Sequence, residues 1–585
     1  MDVAIEIRRE FPDRFGIKDA IRSGMTKSPE FLDLTLRVYK LLAHLKDQDL
    51  TISDDIKSNE NLNVFDHQIL AAQKVKNDLG GSAILADEVG LGKTVEAGII
   101  IKEFLVTGLA KRVLILAPPS LLSQWKDEMY SKFDLSFTNH QDDPVFENAK
   151  SNDLLLMSHS SAVFPKQSAY LNSIYWDLVV VDEAHSMKNS STYKHNLVKN
   201  LQKRNILLLT ATPLQNNLED LYNLVDLIAP GDLGSLGQFL KKYAADAKSR
   251  SINPLFCEEL QRILSSLIIR TTRAEVRQYI KFTDRIPNTD IIDPADAESS
   301  LYNAITTVIR SLYMSNKDPL ALMIYQRLAS SSTEASKRAL YKMRSNKMIT
   351  DQRYDEIMAI ANSIGLDSKL SKLLTITKND KSKFLVFTEF YATQDYVAAN
   401  LKKHGHSVTL FNGKMSSDEK QDSIRRFKGD TQIMISTSAG GEGQNFQFCH
   451  NVVNYDLPWN PMRVEQRIGR VHRIGQKNDV NIFNFALYGT IESYILELLY
   501  MKIDLFTMAL GDMDLMFEDA WSGGSAHTWF KEYLNASDDE EKHNRFSALG
   551  EDWKSRKNKM GDVIQDFNSN VFTNFDLSVL KDKRP

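Results

Sequence analysis

The chain has 585 residues, 42% of them hydrophobic and 25% charged, and a formal net charge of −4. That length exceeds one ordinary core and that balance is typical of a globular chain of two to four domains, which excludes a disordered or fibrous polymer. Cys257 and Cys449 are the only cysteines, lie far apart and have no His or Cys partner at ligand spacing, so a disulfide framework or zinc site is not expected; no apolar run reaches the roughly eighteen residues of a membrane span, and the slight negative charge confines nucleic-acid binding to a local groove.

Residues 1–60 read as a helical N-terminal arm, with LTLRVYKLLAHL as its clearest amphipathic segment. From 61 to 275, buried strands at 83–85, 113–116, 178–181 and 206–209 alternate with helical stretches, the mark of a parallel sheet wrapped by helices. Between 276 and 365 the strand signal fades, and Leu301, Ile305, Val308, Ile309 and Leu312 recur at helical spacing before an Asp318-Pro319 helix start. This stretch is expected to be a helical insertion. A second α/β lobe over 366–498 has strands at 384–387, 408–411, 433–436, 452–455 and 480–483. Residues 499–585 read as a helical C-terminal extension, whose Trp521, Trp529, Phe530 and Trp553 are expected to pack on the lobes.

The segment ADEVGLGKT, residues 86–94, follows the first buried strand and opens a helix. Gly90 and Gly92 let backbone amides close around phosphate oxygens, Lys93 reaches the β- and γ-phosphates, and the Thr94 hydroxyl is placed to hold Mg2+. The generic phosphate loop has Gly where this chain has Asp87. In VVVDEAH a β-branched strand delivers two acids at its carboxyl end, Asp182 to hold the Mg2+ shell and Glu183 to polarise the attacking water. In EQRIGRVHRIGQ, residues 465–476, Gln466, Arg467, Arg470 and Arg473 are spaced to share one helix face, where the arginines repel unless an anion meets them. A triphosphate on the other lobe supplies that anion, and an arginine finger is worth about a thousandfold in turnover.

These blocks stand in series with FDHQ (65–68), VLILAPPSLLSQW (113–125), LLLTATPLQNN (207–217), KFLVFTEF (383–390), FNGKMS (411–416), STSAGGEGQNFQF (436–448) and NYDLPWNP (454–461). The series resembles the superfamily-two helicase-like ATPases, and within them the Swi/Snf family of double-stranded-DNA translocases. EVGLGKTVEAG and GGEGQNFQF look most similar to the bacterial and archaeal RapA/HepA-like branch. The resemblance implies an α/β fold of two RecA-like parallel-sheet lobes around one ATP cleft, with the helical insertion between them and helical extensions at both ends. It implies ATP and Mg2+ as cofactors, double-stranded DNA as partner and RNA polymerase or another DNA-bound complex as a second partner, while the two unpaired cysteines and the lack of a membrane-length apolar run or signal-peptide pattern lead to the expectation of a cytoplasmic location, at the nucleoid in a prokaryote.

Residue by residue, the family reads DE-x-GLGKT, so Asp87, Glu88 and Leu91 join Gly90, Gly92, Lys93 and Thr94 at the nucleotide. Gln68 matches its adenine-reading glutamine and Gln466 a nucleotide-side glutamine. Arg470 and Arg473 match the pair that closes on the γ-phosphate. His185, Thr210 and Thr212 match the segments that couple nucleotide state to lobe movement. On the DNA side, Ser120, Gln124 and Trp125 match the first-lobe strand-tracking motif, and Thr437, Gly441 and Gly443 its second-lobe counterpart. Trp459 matches a tryptophan that leans on DNA, the other reading being an interlobe contact. The basic strip 336–348 reads either as a DNA contact or as a solvated helix face.

Overall fold

The computed structural model describes residues 49–59, 62, 64–88, 90–139, 153–210, 218–244, 253–277, 279–280, 282–378, 380–437, 444–458, 461–497, 525–536, 538 and 540–548. Runs of Val, Ile and Leu bounded by breakers form the first sheet: β1 Ala83–Leu85, β2 Val113–Ala117, β3 Thr138–Asn139, β4 Leu154–Ser158, β5 Trp176–Val181, β6 Lys203–Leu209 and β7 Ile268–Ile269. They lie in the order β3-β4-β2-β5-β6-β1-β7, every pair parallel. Both faces are covered. Ile84, Leu116, Val181 and Leu208 pack with helices Leu218–Ile228 and Cys257–Ser265, while Leu85, Ile115, Val180 and Leu209 pack with helices Lys93–Val106 and Leu122–Phe133. Burial on both sides is why these strands read as continuous apolar runs and not as alternating ones.

The second sheet comprises β8 Arg285–Ile292, β9 Phe384–Thr388, β10 Val408–Phe411, β11 Ile433–Thr437, β12 Asn451–Asn454 and β13 Val480–Leu487. Its order is β10-β11-β9-β12-β13-β8, again parallel throughout. Strand β8 corrects the expectation of an all-helical stretch from residue 276, because it joins the second sheet through β13. It is an edge strand with every residue partly buried or exposed and Pro287 inside it, so its sequence, RIPNTDII, lacks the apolar run that marks a central strand.

The rest of the insertion is helical as expected, over Asp296–Met314, Pro319–Ser331, Thr333–Ser345 and Asp351–Ser363. Asp318 caps the second of these helices by accepting the Leu320 N–H at 3.0 Å. Leu301, Ile305, Leu340, Met343 and Ile357 share one core with Leu385, Phe387, Met434 and Ile482 of the second sheet. Phe530 and Tyr533 of helix Ser525–Asn535 enter the same core, and the hydroxyls of Tyr302 and Tyr533 meet at 3.0 Å. Among the described residues no helix is long and apolar enough to cross a membrane.

Candidate active site between the two lobes

The phosphate-loop motif leaves the carboxyl end of β1, and VVVDEAH leaves the carboxyl end of β5, the edge of a parallel sheet where ligands bind. Gly92 takes φ 96°, a left-handed conformation at the cap of helix Lys93–Val106, and a Cβ there would collide with Gln68 Nε2. Lys93 Nζ donates to the carbonyls of Asp87 at 2.6 Å and Glu88 at 3.4 Å. Thr94 follows in the first helical turn.

Beneath this loop the polar groups are tightly arranged. Gln68 is buried, its Nε2 donating to Leu91 O at 2.9 Å and its Oε1 accepting the Phe65 N–H at 3.1 Å. Here it braces the loop instead of facing an open base site. His67 also meets Leu91 O through Nε2, at 3.1 Å, and His67, Asp87 and Glu96 bring one ligand-type atom each within 4.8 Å of one another. Asp87 accepts the Thr271 N–H at 2.7 Å, tying the loop to the segment after β7. Burial, and then the Asp87 carboxylate, pushes Glu96 well above the carboxylate range. Thus the nonstandard Asp87 is a structural anchor of the loop.

At β5, Asp182 Oδ2 accepts the Trp125 indole N–H at 2.8 Å, and Glu183 lies 3.2 Å from His185 Nδ1. Burial and the Glu183 charge push Asp182 upward. Burial also opposes the charge of Glu183, but His185, Lys93 and Arg470 outweigh it and hold Glu183 down. Trp125 corrects an expectation: placed on the DNA side by motif, it is 1% exposed and spends its only polar atom on Asp182. A side chain with no surface cannot lie along a nucleic-acid strand.

The second lobe turns the charges of Arg470 and Arg473 toward Glu183. Both guanidinium charges are felt at the cleft carboxylate Glu183, and Arg473 Nε donates to Gly469 O at 2.7 Å. The shared helix face expected for all four residues does not form, because helix Pro461–Ile468 ends at Ile468 and tightens into bonds such as Arg470 N to Arg467 O at 3.1 Å. Arg467 turns inward, donating to Asn454 Oδ1 and Asp456 O, both at 2.9 Å, and pairing with Glu389. Gln466 lies on the exposed side of that helix.

Thr210 is fully buried, its N–H on Leu85 O at 3.0 Å between β6 and β1. Thr437 is 4% exposed at the end of β11, Gln124 Nε2 donates to Glu128 at 2.7 Å, and Ser120 O accepts Gln444 Nε2 at 3.0 Å across the lobes. Thr212, Gly441, Gly443 and Trp459 lie outside the described residues. The basic strip sits on helix Thr333–Ser345, with Arg344 paired to Asp351 at 2.6 Å and Arg338 near Asp395 at 3.7 Å.

Sequence reasoning gave no role to Arg273 or His472, which meet across the lobes at 3.2 Å. His472 stands inside a quoted motif, but Arg273 carries no signal beyond its place after β7.

The SNF2-related domain family matches residues 41–359, and the helicase conserved C-terminal domain matches residues 366–475. An uncharacterized ATP-dependent helicase, YqhH of Bacillus subtilis, is 40% identical over 77% of this chain and 80% of its own length. RNA polymerase-associated protein RapA of Proteus mirabilis is 28% identical over 75% of this chain, a match spanning 49% of RapA. Solved structures that resemble the chain include the Sulfolobus solfataricus SWI2/SNF2 ATPase core in complex with dsDNA, at 24% identity and TM-score 0.37, covering 81% of this chain and 96% of that one. The Pyrococcus furiosus Hef helicase domain is 18% identical with TM-score 0.45, covering 73% and 96%.

Proposed function

Because the chain belongs to the SNF2-related family of helicase-like ATPases, we propose that it is a translocase that couples ATP hydrolysis to movement along double-stranded DNA and to displacement of what is bound there. The observation that supports this reading most is the approach of Arg470 and Arg473, from one lobe, to Glu183 and the phosphate loop of the other. A nucleotide held between them is sensed by both lobes, so that its binding and loss open and close the cleft.

The residues fit a Mg2+-nucleotide. Lys93 Nζ rests on loop carbonyls at 2.6 and 3.4 Å, where it is poised to transfer to phosphate oxygens, and the adjacent carboxyls of Asp182 and Glu183 supply oxygen donors of the kind a hard cation takes. Thr94 and Asp182 would hold Mg2+, which when bound neutralises charge on the β- and γ-phosphates. Glu183, kept ionised, orients the attacking water. His185 fixes the Glu183 carboxylate at 3.2 Å, and Trp125 fixes Asp182. Arg470 and Arg473 stabilise the charge that grows on the transferred group. Gln68 holds Leu91 and so shapes the cradle, and Gln466 reaches the nucleotide from the exposed side. By their motifs, Ser120, Gln124, Thr437, Gly441 and Gly443 would grip phosphates without reading bases, and Trp459 would lean on the duplex.

ATP turnover is measured alone and with duplex DNA, single-stranded DNA or RNA, with Lys93→Ala and Glu183→Gln as blanks. Stimulation by duplex alone is expected, and equal stimulation by single strands or RNA would replace translocation with strand separation. The similarity to RNA polymerase-associated RapA favours one second reading, a polymerase-bound recycling factor, and co-purification with polymerase tests it.

A further inference from the structure

The nucleotide cradle and the arginine-bearing loop are joined by a side chain that belongs to neither. Arg273 follows β7 and opens a short helix capped by Thr272. Its backbone N–H donates to Glu88 Oε2 at 2.9 Å, while Glu88 N–H donates to Thr271 O at 3.1 Å, so the segment is fastened to the phosphate loop at two points. Its guanidinium then crosses to the second lobe, where Nη1 meets His472 Nδ1 at 3.2 Å and Nη2 meets His472 O at 3.3 Å.

The histidine is prepared for this. His472 Nε2 lies 2.8 Å from Thr283 O, so the ring proton belongs on Nε2 and Nδ1 is left as an acceptor. Two guanidinium groups share that acceptor, Arg273 and Arg285, the latter at 3.1 Å and itself paired with Glu465 at 2.8 Å. Gly90 makes room, since a Cβ there would stand 3.0 Å from Arg273 Nη2 and 3.5 Å from Arg473 Cα. One further bond, Ile474 N–H to Gly90 O at 3.3 Å, completes the contact. Leu91 of the loop is buried among Val276, Ile280, Phe282 and Ile474, which keeps water from the junction.

We propose that Arg273 is a positioning residue that sets the register of Arg473 over the phosphate loop by holding His472, its immediate neighbour. The inference rests on the arginine assignment given above. It requires the guanidinium itself, because a planar fork spans ring nitrogen and carbonyl together, and an ammonium on a flexible stem does not.

The test is a double-mutant cycle in steady-state ATP turnover with duplex DNA, using the full chain. Arg273→Ala is expected to lower kcat about a hundredfold, the scale of a misplaced catalytic group, while the Kd of a fluorescent ATP analogue changes less than about threefold. Combined with Arg473→Ala, it should add no further loss, because a misplaced arginine and a missing one are equivalent. Arg273→Lys, which keeps the charge, runs the same cycle if the alanine protein melts early, and is expected to recover less than half of the lost turnover.

Multiplying effects in the double variant, or wild-type turnover by Arg273→Ala alongside a crippled Arg473→Ala, would overturn the inference alone. Wild-type turnover by Arg473→Ala would remove the arginine assignment and this inference with it.

Discussion

The indole N–H of Trp125 donates to Asp182 Oδ2 at 2.8 Å, joining the helix after β2 to the acid that ends β5. A hydrogen bond to an ionised group is worth about 1.5–3 kcal/mol. Replacing Trp125 by Phe, which retains most of the buried ring surface, is therefore expected to lower kcat about tenfold and to leave duplex affinity nearly unchanged. Turnover and a DNA titration on the same protein decide it, and loss of DNA binding alone would return Trp125 to the DNA groove.

Gly92→Ala places a side chain at φ 96° and against Gln68 Nε2. The left-handed backbone alone costs about 1–2 kcal/mol for an L-residue. Nucleotide affinity is expected to fall more than tenfold while the melting temperature moves by a few degrees, and calorimetric titration with a nonhydrolysable analogue measures it. Undiminished affinity would mean that the loop does not need this turn.

Lys369 is 1% exposed and lies 2.5 Å from Glu492 and 3.7 Å from Asp456. Removing one partner of a buried ion pair commonly costs about 3–5 kcal/mol. Lys369→Met should fall at the low end, because burial already pushes Glu492 up to about 7 and a proton can replace the missing cation. Urea denaturation gives the value, and a variant as stable as the parent would show that this triad is not needed by the second lobe.

Acid is expected to weaken the fold through its buried histidines. Burial, and Lys194 beside it, holds His159 down to about 4, and burial with Arg285 and Arg273 does the same to His472. Between the ordinary value of about 6.5 and about 4, the unfolded chain takes up protons that the folded chain refuses, so stability is present at neutral pH and is lost as pH falls through that window. Each histidine accounts for roughly 3 kcal/mol at most. Denaturation midpoints from pH 7.5 to 4.5 should fall more steeply for the parent than for His159→Gln, and parallel slopes would count against it.

The sequence made the central strands legible because both faces are apolar: β1 runs over the residues expected, and β2, β5 and β9 differ only at their ends, while β10, an edge strand, was legible from the alternation that leaves every second residue buried. Strand β8 was hidden because an edge needs no apolar run. At the site, glycine and lysine positions followed from backbone chemistry. The inward turn of Arg467 did not, since spacing along a helix says nothing once the helix has ended at Ile468. Arg273 was invisible for a related reason. Its partner is 199 residues away, and a lone arginine after a strand looks like any surface charge.

The helices from Asp296 to Ser363 and the second sheet have a single interior, in which Leu301, Met343 and Ile357 interlock with Leu385 and Ile482. A shared interior of that kind cannot shear without opening voids. The machine consequently has two rigid members where a motif count suggests three. Anything bound on those helices would ride on the second member, and a small rotation at the cleft would sweep a longer arc at their far ends, as at the rim of a wheel turned from its hub.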